Sequence, residues 1–104
     1  MLSIKIRGGQ ILDGSGGPAV TADVGIFDDE IREIGDLGEA SAKTTIDARG
    51  KYVVPGFIDA HSHSDTYVLI QLSAQSKIYQ GITTEVVGNC GASAAPLYPN
   101  AHMP

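Results

Sequence analysis

Near Pro55 the hydrophobic pattern of the chain changes, and that change limits the folds open to it. Upstream, apolar residues come in short alternating bursts broken by turns. Ile4 and Ile6 alternate with Lys5 and Arg7, the pattern of a half-buried strand, and Gly8-Gly9 is expected to break it. Gln10-Ile11-Leu12 resumes, and "DGSGGP" (13–18) is a turn cluster. Val24 and Ile26 alternate with Asp23 and Gly25, Asp28-Asp29-Glu30 forms a polar turn, and Ile31 to Ile34 returns, so a hairpin is expected. The three-residue step from Ile31 to Ile34 breaks strict alternation and leaves a helical turn as the alternative. Thr44 to Ala48 reads as a further strand. Residues 1–55 therefore read as a portion of a small β-sandwich without chemistry of its own.

Downstream, Tyr52-Val53-Val54 leads through Pro55-Gly56 into Phe57-Ile58-Asp59-Ala60, a largely apolar run bounded by turn residues that suits a strand buried on both faces. "AQSKIYQG" (74–81) predicts a short helix with Ala74, Ile78 and the stem of Lys77 facing inward and Gly81 just past its end. "ITTEVVGN" (82–89) is β-branched and strand-like. Strand, helix and strand within some thirty residues make a βαβ unit, and hence a parallel pair. One such unit cannot cover both faces of its own sheet. The expectation is that residues 56–104 begin an incomplete second domain and that the chain is the amino-terminal piece of a longer protein.

Composition closes off several functions. With a net charge of −5 the chain offers no basic patch for nucleic acid or for an anionic membrane surface. No apolar run approaches the roughly 20 residues of a membrane span, and the amino terminus alternates like a strand rather than like a signal peptide. A single cysteine allows no internal disulfide, which makes the cytoplasm the default compartment. There is no G-x-S-x-G elbow for a nucleophilic serine, and "DGSGG" lacks the lysine of a phosphate-binding loop.

The residues with chemistry cluster at two predicted strand ends. His61 and His63 stand at i and i+2, which puts both imidazoles on one face of an extended segment. Two converging imidazoles are a partial site for zinc or a similar divalent ion. A bare H-x-H fits two loop histidines that bind nothing equally well. Cys90 follows the second predicted strand, so it would reach the same rim, where its thiolate is a strong zinc ligand. Alternatively it is a small buried apolar residue, as most free cysteines are. Asp59 lies on the same strand face as His61 and is a candidate acceptor for an imidazole N–H. Asp65 is read as a helix cap. His102 is read as an exposed loop residue, and Glu85 receives no role.

Taken together these stretches are recognisable. "VVPGFIDAHSHSD" resembles the first barrel strand of the amidohydrolase superfamily, and "IKIRGGQILDGSG", "ADVGIFDDEIREIG" and "TIDARGKYVVPG" are similar to that superfamily's amino-terminal segment. "QGITTEVVGNCGASAAP" (80–96) narrows the likeness to N-acyl-D-amino-acid deacylases, the D-aminoacylase family, in which the cysteine of G-N-C-G is a metal ligand. The resemblance implies the amino-terminal share of a small β-sandwich (1–55) followed by the first βαβ unit of a (β/α)8 TIM-type barrel (56–104). It implies zinc as cofactor, with His61, His63 and Cys90 as ligands. Further ligand histidines and the general-base aspartate would lie beyond residue 104. The implied reaction is hydrolysis of an N-acyl-D-amino acid to a carboxylate and a D-amino acid, with the isolated 104 residues inactive. A dihydroorotase- or hydantoinase-like cyclic amidase and a non-catalytic scaffold module are the competing readings, and Cys90 speaks against the first.

Overall fold

A computed structural model describes residues 1–95 and Pro99. Two compact units divide the chain, Met1–Pro55 and Gly56–Pro104.

The first unit is a five-stranded mixed sheet built on β1 (Leu2–Ile11). β1 pairs antiparallel with β2 (Val20–Phe27) along one edge. Its other edge runs parallel to β4 (Ala42–Asp47) and then to β5 (Tyr52–Val53). β2 pairs with β3 (Glu30–Gly35), which gives the order β3-β2-β1-β4 with β5 beside β1.

Gly8-Gly9 does not end β1. The register slips by one residue between Ile6 and Gly9, and Gly8 takes a φ of 66° while its N–H donates to Asp23 Oδ1 at 2.8 Å. This is a bulge with glycine in the left-handed position, so one strand continues where two were expected. A second bulge resolves the hairpin. Ile26 opposes Ile31 but Gly25 opposes Glu33, so Arg32 is the extra residue. Ile31 and Ile34 then face Ile26 and Val24 on one side of the sheet, and the three-residue spacing belongs to a bulged strand rather than a helical turn.

Val24, Leu37 and Ala48 are the buried apolar side chains. Lys5 is buried with them, more so than Ile4 or Ile6, and its ammonium donates to the Gly38 carbonyl. Simple alternation misplaced it, because the apolar stem of lysine packs inside while its head finds a carbonyl.

The second unit contains β6 (Phe57–Asp59), α1 (Tyr67–Ile70), α2 (Gln75–Ile78) and β7 (Ile82–Glu85). β6 and β7 pair in parallel with Asp59 opposite Glu85. α2 ends sooner than expected, with Tyr79 as its C-cap, and Gly81, at φ 78°, follows in a turn that leads into β7. β6 is shorter than the apolar run suggested and is not covered: Phe57 and Ile58 are 56% and 67% exposed. Ile78 is also exposed, since a two-stranded sheet with four-residue helices has too little structure to bury it. Among the described residues no helix is long and apolar enough to cross a membrane.

Candidate metal centre

Backbone pairing between β6 and β7 continues past the strand ends. Val86 N–H donates to Asp59 O at 2.8 Å, and Ser62 N–H donates to Val86 O at 2.9 Å. The segment His61-Ser62-His63-Ser64 is thereby laid along the end of β7. His61 and His63 are exposed on one side, with ring centroids 5.3 Å apart and planes inclined at 65°. Ser62 is buried on the other.

Cys90 arrives through a 3₁₀ turn, Asn89–Gly91. It is a non-glycine residue at φ 58°, a conformation that costs of order 1 kcal/mol or more. Asn89 holds the turn in place: its Nδ2 donates to Ser62 O at 3.1 Å and to Val86 O at 2.9 Å. Cys90 Sγ lies 3.6 Å from His61 Nε2. One donor atom from each of His61, His63 and Cys90 falls within 4.8 Å of the other two.

These donors suit zinc. Two imidazoles and a thiolate are its preferred ligand types, and ligands 2.0–2.3 Å from one tetrahedral ion lie roughly 3.3–3.7 Å apart. The sulfur–nitrogen distance of 3.6 Å is already in that range. Three protein donors leave room for a further ligand, or for the water or substrate oxygen of a catalytic site.

Behind the histidines is a polar cluster that sequence reasoning missed. Glu85 accepts from Ser62 Oγ at 2.9 Å through Oε1 and from Ser64 Oγ at 2.6 Å through Oε2. Lys77, on α2, reaches both Glu85 Oε1 at 2.9 Å and Asp59 Oδ2 at 2.8 Å. The side chains of Lys77, Asp59 and Glu85 are three-quarters or more buried. The serine hydroxyl of Ser64 and then the Lys77 ammonium hold the Glu85 carboxyl below its ordinary value. Lys77 and the backbone N–H of His61 do the same for Asp59, and the two carboxylates together raise Lys77. Asp59 and Glu85 stand opposite each other on adjacent parallel strands, and the ammonium of Lys77, from the connecting helix, bonds both.

Two residues differ from expectation. Asp59 does not meet an imidazole; it accepts the His61 backbone N–H at 3.2 Å and the Lys77 ammonium. Asp65 caps no helix. Thr66 occupies the N-cap of α1 without a side-chain bond, and Asp65 Oδ2 accepts the Ala94 N–H at 2.7 Å, tying down the segment after Cys90. His102 lies outside the described residues.

Residues 44–102 match the amidohydrolase family profile, and the chain belongs to that family. Within it the likeness is to deacylases of N-acyl-D-amino acids. D-aminoacylase of Alcaligenes xylosoxydans xylosoxydans is 50% identical over 94 residues, covering 90% of this chain and 19% of the relative. The zinc and phosphonate complex of N-acyl-D-glutamate deacylase from Bordetella bronchiseptica superposes with a TM-score of 0.85 at 52% identity, covering 91% of this chain and 20% of that one. A D-aminoacylase described as having a binuclear metal centre gives a TM-score of 0.86 at 47% identity, over 93% and 20% of the two chains. The chain spans about a fifth of the length of the curated relatives it matches.

Proposed function

We propose that this chain is the amino-terminal part of a zinc-dependent amidohydrolase that cleaves N-acyl-D-amino acids into a carboxylate and a free D-amino acid. Residues 1–55 are its share of a small sandwich, and residues 56–104 begin its (β/α)8 barrel. His61, His63 and Cys90 hold the metal. Bound there, zinc would supply a water acidified toward neutrality and a Lewis acid for the scissile carbonyl.

The chain's own residues contribute donors and their placement. His61 and His63 offer imidazole nitrogens from the segment just after β6. Cys90 offers a sulfur that a bound cation would keep deprotonated. The proton-transferring aspartate and the pocket for the D-side chain belong to later parts of the full protein, so the 104 residues alone are inactive. The lone cysteine supports a reducing, cytoplasmic setting.

The observation that carries this reading is the approach of Cys90 Sγ to His61 Nε2, 3.6 Å, from the ends of two adjacent parallel strands. The reading is supported by half-identity to a D-aminoacylase over 90% of the chain. The test is amine release from N-acetyl-D-amino acids by the intact protein, compared with the L-enantiomers. Activity lost to a chelator, restored by zinc and confined to D-substrates is expected. Chelator-insensitive turnover, or equal turnover of both enantiomers, would refute it.

A further inference from the structure

The serines between the histidines are as well placed as the histidines themselves. Ser62 is the one buried residue in the described part of the second unit. Its hydroxyl donates to Glu85 Oε1, its N–H donates to Val86 O, and its carbonyl accepts from Asn89 Nδ2. Ser64 uses the other oxygen of Glu85, and its hydroxyl also lies 2.9 Å from that of Ser62. Both carboxylate oxygens of Glu85 are therefore committed to the segment that carries the imidazoles. Lys77 also bonds Oε1 of this carboxylate, comes within 3.5 Å of Ser62 Oγ and is itself held by Asp59.

We propose that Glu85 is a positioning residue for the metal centre: by holding Ser62 and Ser64 together it fixes the turn of His61-Ser62-His63-Ser64 that brings both imidazoles toward Cys90. This rests on the reading of His61, His63 and Cys90 as ligands. Glu85 touches none of the three donors in the hydrogen bonds of this structure, so its effect passes through the serines. The segment keeps its path through local bonds as well: Ser64 N–H donates to Ser62 Oγ at 3.2 Å and His61 N–H to Asp59 Oδ1 at 3.2 Å. A free four-residue segment would have to be ordered by the metal at an entropic cost; one already ordered does not. The same serine reaches the other arm of the site, because Asn89, next to Cys90, bonds the Ser62 carbonyl.

The test is titration of the metal-free intact protein with cobalt(II), read by its thiolate charge-transfer and d–d bands. The wild type is expected to show a charge-transfer band that Cys90→Ala abolishes. Glu85→Ala should weaken cobalt binding by about tenfold, the lower end of what an outer partner of a metal ligand contributes, and should change the d–d bands. Glu85→Gln should recover most of the loss, because its amide can still bond both hydroxyls. A purely structural Glu85 would lower the melting midpoint yet leave affinity and spectrum unchanged in the folded protein, and that result overturns the proposal. If Glu85→Ala does not fold, Ser64→Ala decides: weaker binding supports the proposal, and unchanged binding and bands overturn it. Absence of the cysteine-dependent band in the wild type would overturn the ligand reading and this inference together. A normal wild-type band with Glu85-insensitive binding would overturn only this inference.

Discussion

The two units of the chain are organised on opposite principles. In Met1–Pro55 the interior is mainly apolar, with Val24, Leu37, Ala48 and the stem of Lys5 buried in a long, doubly bulged sheet and its following loops. In the described part of Gly56–Pro104 the interior is polar. Ser62 is its one buried residue, Lys77, Asp59 and Glu85 surround it, and Phe57, Ile58, Ile70 and Leu72 lie outside. A sheet that buries apolar surface is stabilised wherever it forms. A cluster of four bonded polar groups adds little net stability but specifies one arrangement, because each group left unpaired would be costly. The first unit is thus organised for stability and the second for geometry.

The largest test of that contrast is at Cys90. In the intact protein Cys90→Ala should lower metal content and activity together, by more than the roughly 10–100-fold that an outer partner of a ligand costs. It should leave the unfolding of the first unit unchanged. Elemental analysis and turnover measured on one preparation check this. Unchanged metal content and turnover would mean that Cys90 is only packed, and the second unit would lose its claim to a functional geometry.

Two glycines allow matched perturbations. A Cβ on Gly9 would come within 2.4 Å of Val53 Cγ2 and 3.2 Å of Ala48 Cβ. A Cβ on Gly56 would come within 2.1 Å of Thr83 Oγ1 and 2.7 Å of Thr83 Cβ. Neither glycine has a positive φ, so crowding alone is at issue. Each alanine substitution is expected to destabilise by about 1–3 kcal/mol, as overpacking does. Gly9→Ala should do so without changing metal affinity. Gly56→Ala pushes β6 from β7, and should weaken metal binding as well as stability. Denaturant titration beside metal titration separates them, and equal effects of the two variants on metal affinity would break the contrast between the units.

Much of this was legible because it is local. The H-x-H spacing, the strand–helix–strand order and the glycines around Cys90 are patterns within a few residues of one another, and a parallel pair does bring the two strand ends together. What was not legible depended on register. The bulges at Gly8 and Arg32 change which residues face each other, and no alternation rule indicates where a strand takes an extra residue. Glu85 was opaque for the same reason. Its position opposite Asp59, and hence its need for Lys77, appears only once β6 and β7 are aligned. Asp59 likewise pairs with a cation eighteen residues away instead of the nearest imidazole in sequence, a contact that no local pattern reveals.

The smallest expected effect is in the pH dependence, where Lys77 adds an alkaline limb to the second unit. In the first unit, Asp47 is held far below the usual carboxylate range by Arg49, an exposed pair. A carboxyl lowered by folding stabilises above its unfolded value, near 4, and that contribution fades as pH falls through the folded value. Glu85, lowered from 4.5, behaves likewise, so both units should weaken in acid. Lys77 is different: its value is raised from 10.5 by Asp59 and then Glu85. Its contribution is complete below that ordinary value and is lost as pH rises beyond it. The second unit should therefore show this alkaline limb, and Lys77→Met should remove it while leaving the acid limb of Asp47 intact. Melting midpoints from pH 3 to 11 in the wild type and the variant would settle it. An alkaline limb that survives Lys77→Met would mean that the polar cluster does not hold the second unit together.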